Sequence, residues 1–226
     1  MDTTTDLEFL YVGDPMCSWC WGFAPVVEEL TTRYRIPLRV VVGGLRPGPN
    51  AEPLTGEMRG FLAHHWEQVA ERSGQPFDHR GLDREGWVYD TELPARAVVT
   101  MREMSPGDTV RFFTASQQAF YADRVDITDP AVYPALVAPY DVDGEKFMER
   151  LHDEQSRLAA WEDFGQARQL GVAGFPGLLL RTEDGYVVVT RGYLPFDQLE
   201  PAVTGWLGRT YPDQVEGLVC AIDGDC

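Results

Sequence analysis

Apolar positions along this chain follow two different rhythms. Residues 7–12 (LEFLYV) and 38–42 (LRVVV) are continuous apolar runs closed by Gly13-Asp14-Pro15 and by Gly43-Gly44, and they read as buried strands. Between them the period lengthens. Phe23, Val27, Leu30 and Tyr34 recur at helical spacing while Glu28, Glu29 and Arg33 point away, which predicts an amphipathic helix from Met16 onward. Pro25 falls in its first turns, as a start or a kink. Strand, helix, strand at this spacing is a βαβ unit, with parallel strands and a right-handed crossover.

From Leu45 to about Gly171 no run has strand character. Helices are predicted over 56–73, 94–104, 109–121, 144–151 and 153–170. The first carries Phe61, Trp66 and Val69 among charged residues. The last shows Leu158, Trp161 and Phe164 along one face, with Gly171 as its stop. Strands return at 177–181 and 186–190, joined by Thr182-Glu183-Asp184-Gly185, a hairpin signal, before a closing amphipathic helix over 195–207. This order predicts an α/β sheet built from 1–45 and 171–226 and interrupted by an all-helical insertion over 46–170.

Composition narrows the function. With 226 residues and 44% hydrophobic content the chain can bury a real core, which excludes a disordered protein. The 36 acidic residues outnumber 19 basic ones, for a net charge of −17, so the surface repels phosphate backbones and anionic lipid. Neither nucleic acid nor membrane is an expected partner. The start, MDTTTDLEFL, lacks the basic residues and long apolar core of a secretory signal, and no stretch reaches the ~18–20 apolar residues of a membrane span. A cytoplasmic location is expected, where cysteine pairs are more often catalytic than structural.

Cys17-Ser18-Trp19-Cys20 follows the first strand directly and opens the helix. Unpaired N–H groups and the dipole at a helix N-terminus favour an anion there, and thiolate is the nucleophile of disulfide exchange. Cys17, the more exposed sulfur in such a turn, is expected to attack, and Cys20 to resolve the mixed disulfide from the buried side. Ser18 can donate to sulfur and Trp19 adds apolar bulk beside substrate. Asp14, just before Pro15, should oppose the thiolate, and no histidine separates the cysteines. A reduction potential below the strongly oxidising limit of about −120 mV is therefore expected.

A second element is Gly171-Val172-Ala173-Gly174-Phe175-Pro176, a glycine-rich loop ahead of the third strand. Pro176 is a candidate for a cis peptide bond. Such a proline keeps an N–H and a side chain away from the thiol and turns the Phe175 backbone outward to pair with extended substrate. Trp21 and Phe175 are the expected substrate contacts. His64 and His65 are adjacent and cannot face one metal from a single helix face, so no metal is expected there.

The run from Tyr11 to Phe23 (YVGDPMCSWCWGF), the Gly43-Gly44-Leu45 turn, the helical insertion and the Gly174-Phe175-Pro176 loop resemble the DsbA family of thioredoxin-fold thiol–disulfide oxidoreductases. Within it, the active-site run is most similar to the FrnE-like branch. The resemblance covers nearly the whole chain. It implies a thioredoxin-like fold with a helical domain capping the active site, a redox pair at Cys17 and Cys20, and a cis proline at Pro176. The function expected is exchange with protein or small-molecule thiols and disulfides, with glutathione a candidate, and no organic or metal cofactor is needed for it.

Two other readings stand beside it. One is a transferase or isomerase of the kappa-class type, binding glutathione or an aromatic acid under the insertion; those relatives carry serine where this chain has Cys17. The other is an interaction protein stabilised by zinc on Cys17, Cys20, Cys220 and Cys226, although five residues separate the second pair, more than zinc sites usually show. Cys220 and Cys226 otherwise read as part of an acidic tail, as an accessory redox pair serving Cys17 and Cys20, or as a static structural disulfide.

Overall fold

The computed structural model describes residues 7–213 and 215–219. The chain opens with β1 (Glu8–Gly13), α1 (Ser18–Arg33) and β2 (Leu38–Val42). β1 and β2 pair in parallel, Phe9 opposite Leu38 and Gly13 opposite Val42. A long excursion follows through β3 (Glu52–Pro53), α2 (Gly56–Ser73), β4 (Val88–Tyr89), α3 (Glu92–Met104), α4 (Thr109–Tyr121), α5 (Tyr133–Val137), α6 (Gly144–His152) and α7 (Glu154–Gln169). The hairpin of β5 (Gly177–Thr182) and β6 (Gly185–Arg191) then returns to the sheet, followed by α8 (Phe196–Thr210) and α9 (Val215–Leu218). β5 lies antiparallel to β1, so the four-stranded sheet has the order β2-β1-β5-β6.

Between 45 and 171 the structure corrects the expectation of helix alone. β3 and β4 form a small antiparallel ladder, Glu52 opposite Tyr89 and Pro53 opposite Val88. Two residues per strand are too few to leave any alternation in the sequence. Two apolar residues of the predicted helices also stand exposed, one of them, Leu158, in a predicted stripe. On α2 the buried stripe is Leu62, Trp66 and Val69, while Phe61 is exposed and stacks on His65. On α7 Leu158 is exposed, and the buried face runs through Ala160, Asp163, Phe164 and Ala167.

Asp163 is buried because it finishes the sheet. β2 is an edge strand, and edge N–H and C=O groups need partners. Asp163 accepts from the Val42 N–H at 2.9 Å, and Arg102 of α3 donates to the Val40 carbonyl at 2.7 Å. Arg102 also pairs with both carboxylate oxygens of Asp163 at 2.7 and 3.0 Å. The helical excursion thus caps the sheet edge with a bidentate ion pair.

The excursion grips α1 as well. Pro25 lies inside α1 and has no N–H to offer the Trp21 carbonyl one turn back. Gln75 Nε2 donates to that carbonyl at 3.1 Å, and the Trp21 indole N–H donates to the Pro76 carbonyl at 3.0 Å. Helix and loop are tied through the backbone and the side chain of one residue. Among the described residues no helix is long and apolar enough to cross a membrane.

Candidate active site

Cys17 is the N-cap of α1, in extended backbone conformation, and its carbonyl accepts from the Cys20 and Trp21 N–H groups at 3.0 and 3.1 Å. Its own N–H donates to the Asp14 carbonyl at 3.0 Å, closing the turn that carries the chain from β1 into the helix. Cys17 keeps 7% of its surface and Cys20 none. The two thiols are free and within hydrogen-bond reach of one another. The Phe175–Pro176 bond is cis, and the Phe175 carbonyl stands 3.7 Å from Cys17 Sγ as an acceptor for the thiol.

The turn after β2 holds this loop in place. Gly43 lies against the Phe175 ring so closely that an added Cβ would sit 2.1 Å from a ring carbon, and Gly43 N–H donates to the Gly13 carbonyl at 2.7 Å. Gly44 adopts φ 71 and packs on Phe164. The spacing of Gly43-Gly44-Leu45 therefore answers two close approaches.

Asp14 is fully buried and serves as a hub for backbone N–H groups. Its two oxygens accept from Met16 N–H at 2.9 Å and Leu45 N–H at 2.8 Å, and the Thr91 hydroxyl adds a third bond. Burial pushes its carboxyl up to about 6, against those three bonds, which favour the charged form. The unfolded chain titrates this group near 3.8, so between the two values the native state holds the extra proton. Its contribution to stability is full below the lower value and is lost as pH rises through the upper one. Asp14→Asn should remove that dependence. The stability difference between wild type and variant is expected to fall by about 2 kcal/mol from pH 4 to pH 7. Urea unfolding across that range checks it, and a flat difference would place the proton elsewhere.

Cys20 lies in a deeper pocket. Burial pushes its thiol well up, and neighbouring Cys17 raises it further, while the Asp14 N–H and the Tyr11 hydroxyl act in the opposite direction. Tyr11 comes from β1 with its ring packed edge-on against Phe113 at 5.4 Å and tilted on Phe23 at 5.9 Å. The Tyr89 hydroxyl donates to the Met16 carbonyl, pinning the residue before Cys17.

The remaining expected site residues divide by location. Pro15 is buried in the turn, and Ser18 is half-buried on the first turn of α1. Trp19 is half-buried too, its ring 5.6 Å from Tyr193, with the Arg72 guanidinium 5.5 Å from Trp19 and 5.8 Å from Tyr193. The Tyr193 hydroxyl donates to the Arg72 carbonyl at 3.1 Å. Trp21, expected beside substrate, is buried under the 75–76 loop, whereas Phe175 stands at the thiols. Cys220 and Cys226 lie outside the described residues. Among the described residues no three His, Cys, Asp or Glu side chains are grouped to hold a metal ion.

Tyr11, Thr91, Tyr89, Arg72 and Tyr193 were not singled out for the site from sequence. Tyr11 lies on β1 just before the turn, whereas Arg72 of α2, Tyr89 of β4, Thr91 ahead of α3 and Tyr193 after β6 are brought to it only by folding.

The profile of the DSBA-like thioredoxin domain matches residues 11–204. The chain belongs to that family. A structure from Nitrosomonas europaea, provisionally assigned as a protein disulfide isomerase, is 32% identical, with a TM-score of 0.83 over 90% of this chain and 98% of that one. The cytosolic disulfide reductase DsbM from Pseudomonas aeruginosa is 23% identical, with a TM-score of 0.76 over 90% of this chain and 100% of that one. The ClpXP adapter protein SpxH of Bacillus subtilis is 25% identical over 224 residues, covering 96% of this chain and 73% of its own length. SpxH of Halalkalibacterium halodurans is 22% identical over 84% of this chain and 64% of that protein. As a DSBA-like member the chain is a disulfide oxidoreductase with a thioredoxin-like fold.

Proposed function

We propose that this protein exchanges thiols and disulfides through Cys17 and Cys20. Cys17 attacks a substrate disulfide, forming a mixed disulfide and releasing one substrate thiol. Cys20 then attacks Cys17 Sγ, freeing the second thiol and leaving a Cys17–Cys20 disulfide, which a reducing thiol reopens. The observation that carries this reading is the asymmetry of the pair: Cys17, the N-cap of α1, keeps 7% of its surface, and its partner within reach keeps none. The Phe175 carbonyl beside Cys17 offers an edge along which an extended substrate can lie. Assignment to the FrnE-like branch rests on the run from Tyr11 to Phe23, and a cytoplasmic setting agrees with the cytosolic role of DsbM.

Small disulfides bearing carboxylates are the substrates this rim suits best. Arg72 is exposed beside Cys17's neighbour Trp19 and rests on two aromatic rings, in a chain whose net charge is −17. A local cation offsets the general repulsion of anions at this one place. DsbM has been solved with glutathione, a thiol of this chemistry.

Reduction of oxidised glutathione and of insulin, with a dithiol as regenerant, tests the reading. Catalysed turnover of either disulfide is expected. Arg72→Glu should raise KM for oxidised glutathione about fivefold and leave neutral hydroxyethyl disulfide nearly unchanged. Absence of turnover with every disulfide would remove the proposal.

A further inference from the structure

The exchange reading leaves one chemical question open, and β1 answers it. Cys20 must lose a proton to attack, yet it sits where a charge is disfavoured by burial. Resting on that reading, we infer that the Tyr11 hydroxyl is the hydrogen-bond donor that stabilises Cys20 Sγ as it becomes anionic in the resolving step.

The geometry is local and closed. A Cβ built on Gly13 would meet the Tyr11 Oη at 3.1 Å and Cys20 Sγ at 3.2 Å, so the two atoms flank the same small space under the turn. In the structure, with Cys20 a free thiol, the hydroxyl donates to the Cys20 carbonyl at 3.5 Å, a long bond from which its proton can rotate to the neighbouring sulfur as that sulfur becomes anionic. Glycine at position 13 leaves that space empty of side chain, and any larger residue would be driven against both groups. The tyrosine ring is clamped by Phe23 of α1 and Phe113 of α4, which leaves its hydroxyl no route to solvent. Phe23 and Phe113 are apolar, and the titratable groups that face Tyr11 and Cys20 are Cys17 and Asp14. Tyr11 itself is held in its neutral form by burial and by the nearby sulfurs, so it gives a hydrogen bond and does not take the proton.

The step balances without a further reagent. The mixed disulfide between Cys17 and the substrate sulfur meets the Cys20 thiol. The bond from Cys17 to substrate breaks as the Cys17–Cys20 bond forms, the Cys20 proton ends on the departing substrate sulfur, and Tyr11 keeps its own. A donor aimed at Cys20 therefore lowers the barrier to resolution without touching the first attack by Cys17.

Dithiobis(nitrobenzoate) separates the two halves, because each releases one coloured thiolate. Wild type should show a first phase from Cys17 attack and a second from Cys20 resolution, while Cys20→Ala should show the first alone. Tyr11→Phe keeps the ring and its packing. It is expected to leave the first phase unchanged, slow the second roughly ten- to hundredfold, and move the pH midpoint of the second phase upward. A fluorinated tyrosine placed at position 11, a stronger donor of nearly the same shape, should move the second phase in the opposite direction and guards against a folding defect in the phenylalanine variant. An unchanged second phase and midpoint in both variants would overturn the role of Tyr11. Absence of the first phase in wild type would instead overturn the exchange reading beneath it.

Discussion

Cys17→Ser is expected to lower disulfide turnover by roughly a thousandfold or more, because the hydroxyl of serine is not a nucleophile for disulfide exchange. Cys20→Ala should fail differently. It keeps Cys17, so the first attack proceeds, but nothing on the protein releases the captured substrate. The variant should accumulate as a covalent adduct, seen as a mass increase that dithiothreitol reverses. The proposed order of events rests on Cys20 having no exposed surface with which to meet a substrate first. If Cys20→Ser or Cys20→Ala turned over at the wild-type rate, the assignment of the resolving sulfur would fail. Mass spectrometry before and after reduction distinguishes the two variants in one experiment.

The second large effect is on stability. Arg102→Met should destabilise the fold by about 3–5 kcal/mol, because it leaves the buried Asp163 charge without its partner. It also removes the donor that satisfies the Val40 carbonyl on the sheet edge. For a chain of this size that corresponds to a drop in Tm of roughly 6–20 °C. Calorimetry or urea unfolding gives the answer. A change of less than about 1 kcal/mol would mean that the pair is solvated and worth no more than a surface salt bridge. Because β2 runs directly into Gly43-Gly44-Leu45, loosening this edge should also loosen the Phe175 loop and the backbone donors to Asp14.

How far the sequence carried can be read from particular residues. β1, β2 and the hairpin are visible because buried strands need continuous apolar runs, and the sheet supplies them in 7–12, 38–42 and 177–181. The β3–β4 ladder left no trace, being shorter than any period. Leu158 shows the limit of reading faces from apolar residues alone. A stripe is set by what it packs against, and on α7 the inward face includes Asp163, whose burial depends on Arg102 more than sixty positions away.

The site divides the same way. The cysteine turn is local, so its placement at the start of α1 follows from a strand, a glycine-aspartate-proline break and a helical period. Asp14 was expected to act on the thiolate through its charge. The structure adds a constructional role, with its oxygens holding Met16, Leu45 and Thr91 around the turn. Trp21 sits next to Cys20 in sequence yet faces the 75–76 loop, because one step along a helix turns a side chain through about a hundred degrees. Arg72 was hidden for the opposite reason, being far in sequence and near in space, while Tyr11 lies inside the quoted run but on β1, where the alternation of the strand alone does not tell which face meets Cys20.

The most direct test of the central claim is a redox titration of the wild-type protein in glutathione buffers, followed by alkylation and peptide mapping. The account predicts one two-electron transition, a peptide linking Cys17 to Cys20 on the oxidised side, and a potential clearly more reducing than about −120 mV. Cys17 and Cys20 both remaining alkylatable thiols in the most oxidising buffer would contradict it.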